Sequence, residues 1–159
     1  MIRTDIICVG KLKEKYWEDA VSEYSKRLKA YCRLNIIELK DEKTPEGASA
    51  AVEEEILNTE AGRIKQYLND KALRLVLAVE GKQYSSEDFA SLLKKKMNEG
   101  ISDIQFIIGG SLGLHESIKK GAELLSFSKM TLPHQLMRVV LLEQYYRAHK
   151  IMRHEPYHK

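Results

Sequence analysis

The chain has 159 residues, 43% hydrophobic and 31% charged, with a formal net charge of +3. That length suits one domain, residues 1–159, and the balance of apolar and charged residues excludes a disordered or membrane-embedded class. Met1 leads into an alternating apolar segment that lacks the core and cleavage site of a secretory signal, so the cytoplasm is the expected compartment.

Residues 2–9 alternate as a strand does. The next segment places Trp17, Ala20, Val21, Tyr24, Leu28 and Tyr31 on one face at helical spacing. A second strand is expected at 34–39, then a polar turn in which Pro45 suits a helix start. Val52, Ile56, Ile64, Tyr67 and Leu68 mark a long, acidic, mostly exposed helix. The run 73–79 is nearly all apolar, the pattern of a strand buried on both faces. Ser85 with Asp88 resembles a capping box for a helix carrying Phe89, Leu92, Leu93 and Met97; Lys94, Lys95 and Lys96 near its end read as a solvated face. A fourth buried strand at 104–108 runs into the glycine loop 109–115. A short helix, a fifth strand at 127–132, and a last helix opened by Pro133 and reaching about Arg153 complete the chain. Alternating strands and helices predict an α/β domain: an open, mostly parallel sheet with helices on both faces. Cys8 and Cys32 are expected as packed thiols, and no cluster has metal-ligand spacing, so no metal is expected.

Charge is uneven. Residues 129–159 hold six Lys or Arg against two acids and four of the five histidines, a segment charge of +4, while the rest of the chain sums to −1. A basic end of this kind suits an anionic partner, most simply nucleic acid, or a solvated helix end. Gly109-Gly110-Ser111-Leu112-Gly113 lies where open α/β sheets bind ligands, at the carboxyl end of a buried strand. It lacks the Gly-Lys-Ser/Thr ending of a P-loop and the spacing of a dinucleotide site; a tight turn without a ligand is the plain alternative. The last helix is apolar nearly all round. A terminal helix has one core to lean on, so its other side is expected to meet a second copy in a homodimer. Arg138, Arg147 and Lys150 are then expected on its solvent-facing edges, with Glu143 and Arg147 paired.

Four segments, VGKLKEKYW (9–17), FIIGGSLGLH (106–115), LSFSKMTLPHQLMRVVLLEQYYRA (125–148) and the ending PYHK (156–159), give the whole chain a resemblance to the small bacterial SPOUT-class methyltransferases that methylate N3 of a pseudouridine in 23S ribosomal RNA. The resemblance implies a C-terminal trefoil knot, a homodimer, and S-adenosylmethionine held in the knot by three strand-end loops. By position these supply Leu77, Gly109 and the run Phe127, Ser128, Lys129, Met130, Thr131 and Leu132. One departure stands out: some relatives have glycine where this chain has His154.

Methyl transfer from a sulfonium needs alignment and removal of the N3 proton. His158 with Tyr157 in the tail is the preferred catalytic pair, with His134 as an alternative base; Tyr157 also offers a ring for stacking on a base. Arg138, Arg147, Lys150, Arg153 and Lys159 are expected on RNA phosphates. The partner is then 23S rRNA in the ribosome, with no membrane and no metal. A non-catalytic RNA-binding dimer of the same fold is the competing class; a hydrolase using Ser111 and His115 is a distant third.

Overall fold

The computed structural model describes all residues, 1–159. Ten elements alternate along it: β1 (Ile2–Val9), α1 (Lys15–Leu28), β2 (Cys32–Leu39), α2 (Ala50–Lys65), β3 (Leu73–Gln83), α3 (Ser86–Asn98), β4 (Asp103–Ile108), α4 (Glu116–Lys119), β5 (Glu123–Ser126) and α5 (His134–Met152). The sheet has the order β2-β1-β4-β3-β5, and every pairing is parallel. All five strand ends therefore open on one edge.

Alternation along the strands divides the core between two layers. Ile6, Cys8, Leu75, Phe106 and Ile108 face a layer built from Val21 and Leu28 of α1, Phe89 and Leu93 of α3, and Leu141, Leu142, Tyr145 and Ala148 of α5. Ile7, Val9, Val76 and Ile107 face Ala61 and Ile64 of α2 and Ile118 of α4. Inside the first layer, Thr4 Oγ1 and the Tyr145 hydroxyl are 2.7 Å apart and satisfy each other. His149, 4% exposed, stacks on Tyr31 beside Tyr145. Its Nε2 is buried without a hydrogen-bond partner.

Several expectations need correction. The fifth strand is Glu123–Ser126; 127–132 is a loop, because the chain leaves the sheet where Ser126 Oγ donates to Ser128 O. The helix α2 starts at Ala50, after Ser49 accepts from Val52 N, and not at Pro45. The strand β2 starts at Cys32, two residues before the expected 34–39. The apolar girth of α5 is explained within one chain: it lies between α1 and α3 as well as on the sheet, and Leu141 and Tyr145 are both fully buried. That girth is therefore not by itself a sign of a second copy. Ser85 does cap α3, accepting from Asp88 N at 3.0 Å.

The β3–β5 pairing has an unusual register. Leu125 pairs with Leu77 and again with Lys82, so the segment between them arches across β5. A Cβ on Gly81 would lie 2.7–2.8 Å from the backbone of Leu124 and Leu125, a separation that no side-chain motion can relieve.

Candidate active site

At the carboxyl edge of the sheet lies a cavity of about 600 Å³, the size of a small-molecule site. Its walls come from three segments: the arch Leu77 to Glu80 within β3, Ile108 to Leu114 from the end of β4, and Leu125 to His134, Lys129 aside, from the end of β5, with Met137 of α5 as cover. Of the residues anticipated for the cofactor, Leu77, Gly109, Phe127, Ser128, Met130, Thr131 and Leu132 line it. Lys129 does not; it is exposed on the outside of its loop.

Local chemistry explains these walls. A Cβ on Gly109 would fall onto the Gly113 carbonyl oxygen and lie 2.7 Å from its carbon, so glycine here lets the loop close on itself. Gly113, at φ +80°, completes the turn, with its N–H donating to Gly110 O at 3.1 Å. Ser128 Oγ accepts from Met130 N at 3.0 Å and stiffens the third loop. Two charged side chains reach the cavity, Glu80 and Lys119, and they bind each other at 2.7 Å. The lysine's hydrogen bond holds the Glu80 carboxyl below the usual carboxylate range. Sequence reasoning missed this pair, since nothing local links residues 39 apart.

His134 also lines the cavity. Its Nδ1 is buried without a partner, and the ring packs 3.5 Å from where a Cβ on Gly10 would stand. Burial, followed by the Arg138 charge, pushes its pKa below the ordinary histidine value, so the ring is neutral at pH 7. Arg138 is not on a solvent-facing edge as expected: it is 2% exposed, donates to Glu38 at 2.7 Å and to Gly10 O at 2.6 Å, and so clamps the β1–α1 loop.

The tail folds back on α5, and neither Tyr157 nor His158 lines the cavity of its own chain. The Tyr157 hydroxyl donates to Glu143 at 3.0 Å, and its ring meets Tyr146 edge to face. Burial and that hydrogen bond raise its pKa to about 12, which makes it a donor rather than a base at pH 7. Arg147 Nη1 lies 3.2 Å from His158 Nδ1, and His158 Nε2 lies 2.7 Å from Glu87 of α3. A guanidinium can only donate, so Nδ1 accepts and the proton sits on Nε2. Arg147 pairs with Glu143 as foreseen, Lys150 with Glu155, and Arg153 lies over the Tyr31 ring. Lys159 is exposed. The turn into the tail uses His154 at φ +56°, the only non-glycine residue with positive φ. Glu155 N to Lys150 O and His154 N to Ile151 O complete a left-handed cap of the type that favours glycine.

The family model described as "Predicted SPOUT methyltransferase" matches residues 2–158. The chain belongs to the SPOUT methyltransferase family. Among curated relatives in the family, a protein named "Ribosomal RNA large subunit methyltransferase H" in Bifidobacterium adolescentis is 56% identical over 159 residues, covering 99% of this chain and 100% of that protein. One of the same name in Streptococcus uberis is 54% identical with the same coverage. A solved structure titled "a probable methylase family protein from Haemophilus influenzae Rd KW20" superimposes with a TM-score of 0.50 at 12% identity, over 99% of this chain and 70% of that one, which supports the fold alone. No helix is long and apolar enough to cross a membrane.

Proposed function

We propose that the chain is an S-adenosylmethionine-dependent methyltransferase acting on N3 of a pseudouridine in 23S ribosomal RNA, as a cytoplasmic homodimer. The observation that carries this reading is the cavity: three segments of the chain gather there seven of the eight residues that the family resemblance assigns to the cofactor. The residues present fit such a group. Leu77, Phe127, Met130 and Leu132 offer apolar cover for an adenine, and the glycine loop and the 127–132 loop offer backbone N–H and C=O groups to its edge. When bound, S-adenosylmethionine supplies an electrophilic methyl group.

The protein's own residues hold, orient and manage a proton. Gly109 allows the loop to close, and Ser128 fixes the loop opposite. His134 places a neutral imidazole in the wall, able to hold a proton at Nδ1. Because Tyr157 and His158 do not line their own cavity, their roles as stacking ring and base require the tail to serve the cavity of a second copy. Val79 and Met130, 46% and 78% exposed, form part of the apolar surface beside the cavity that a second copy would cover. The same reading includes a knotted C-terminal crossing, supported by the double pairing of Leu125 and the backbone contact at Gly81.

The test is transfer of labelled methyl from S-adenosylmethionine to ribosomes isolated from a strain lacking this activity. The full chain should label 23S rRNA; removing residues 156–159 should abolish labelling while leaving cofactor affinity within about twofold, since the tail is off the cavity. Cofactor binding with no labelling of ribosomes by the full chain would refute the assigned reaction, and no cofactor binding would leave the non-catalytic RNA-binding dimer. Mixing the truncated chain with a Gly109→Val chain should restore labelling if tails act across the dimer.

A further inference from the structure

The segment VGKLKEKYW has no role in the cavity walls, yet the fold fixes its loop with unusual care. Arg138, a fully buried arginine, holds Gly10 O. Glu38, itself bound to Arg138, accepts from Leu12 N at 3.2 Å, and Gln135 Oε1 accepts from Lys13 N at 2.9 Å. Three side chains from β2 and α5 thus determine the path of residues 10–13, and Gly10 is pressed against His134 in the cavity wall. A loop held this way presents Lys11 and Lys13 outward, both exposed and neither in a salt bridge. From the neighbouring loop after β5, Lys129 is likewise exposed and unpaired.

The contrast with the tail is informative. Of the five cations expected on RNA, Arg138, Arg147 and Lys150 are each committed to a carboxylate of the same chain, whereas Arg153, over the Tyr31 ring, and Lys159 are exposed without one. A paired cation has little to gain from a phosphate, because it must first give up its partner; an unpaired, solvated lysine gains by releasing counterions. We propose that Lys11, Lys13 and Lys129 form a phosphate-binding rim on the two loops flanking His134, which grips the RNA backbone next to the target base. Asp41, on the loop after β2, bears on the same histidine and offsets part of this charge. Lysine suits this role, since a point charge on a flexible stem fixes position without reading sequence.

The inference rests on the enzymatic reading above, and the experiment separates the two. The parent chain, a Lys11→Ala/Lys13→Ala/Lys129→Ala chain, the corresponding triple arginine chain, and a Lys94→Ala/Lys95→Ala control at the opposite edge of the sheet are each assayed for ribosome binding at several salt concentrations, for methyl transfer, and by calorimetry with S-adenosylmethionine. The triple alanine chain should keep its cofactor affinity and its kcat at saturating ribosome. Its KM for ribosomes should rise on the order of tenfold or more, and its log affinity against log salt should flatten by about two. The arginine chain and the Lys94/Lys95 control should resemble the parent. If the parent methylates and the triple alanine chain matches it in KM and salt slope, the rim is refuted while the enzyme reading stands. Equal losses in the control would also refute it, as non-specific charge, and a parent that methylates nothing removes both.

Discussion

His149 should make the fold sensitive to mild acid. Its ring is 4% exposed with Nε2 unpartnered, and burial, then the Arg153 charge, lowers its pKa from 6.5 to about 4. In the unfolded chain the ring takes a proton as pH falls through 6.5; in the native state it stays neutral until about 4. The unfolded state therefore binds more protons in that window, and stability present above it is lost on acidification. Between pH 7.5 and 5.0 this one group accounts for about 2 kcal/mol, and about 3 kcal/mol once pH is below both values. Reversible urea unfolding at pH 7.5 and 5.0 measures it, compared with His149→Phe, which keeps the ring packing on Tyr31 and Tyr145 and removes the proton site. Staying at pH 5.0 or above keeps the lowered carboxyls of Glu80, Glu87 and Glu155 charged. Differencing the two chains cancels His134, which is shifted in the same direction, and Glu60, whose raised carboxyl acts oppositely. The variant should lose about 2 kcal/mol less than the parent over this interval. Equal losses in both chains would show that His149 does not titrate as its burial requires.

Three further outcomes follow from named contacts. Gly109→Val should lower S-adenosylmethionine affinity at least about a hundredfold, equal to some 3 kcal/mol, because the added carbons displace the Gly113 carbonyl and open the loop; unchanged calorimetry would remove this cavity as the cofactor site. Arg138→Met should cost about 3 kcal/mol in urea unfolding by stranding Gly10 O and Glu38, and a loss under about 1 kcal/mol would show that the clamp contributes little. His154→Gly should raise stability by about 1 kcal/mol, since its φ of +56° strains any residue with a Cβ, and the gain should appear in the thermal midpoint; no gain would mean that the side chain offsets its strain elsewhere.

Much of this molecule could be read from periodicity. The strands β1, β3 and β4 and the helices α1 and α3 carry patterns that only one local structure satisfies, and buried apolar runs correctly implied a parallel sheet. The errors arose where tertiary contacts decide. Phe127, Met130 and Leu132 read as a strand because they are apolar, but their apolar surface faces a cavity, whereas the four-residue β5 has too short a pattern to register. Arg138 read as an RNA contact because charge on a late helix is normally exposed; only the arrival of Glu38, 100 positions away, makes its burial tolerable. Seven of the eight residues that the resemblance named stand on the cavity wall, but Glu80 and Lys119 depend on two segments meeting and leave no local trace. The cap at His154 is one that glycine makes without strain, which gives a physical reason for glycine to be acceptable at that position.

The interlock of β3 and β5 at Gly81 has a bearing on how the protein comes into being. The arch within β3 and the loop after β5 both wall the cavity, and the arch over Leu125 can close only after residues 73–83 and 123–126 have found each other across some forty positions of chain. Such distant pairing is slow to form. A nascent or partly unfolded copy thus has β1, β2 and β4 available for pairing but no pocket. Any compound that fills the pocket binds only the finished topology, so it stabilises the folded chain against unfolding. The interlock thereby makes the pairing of β3 with β5 a condition for having a pocket at all.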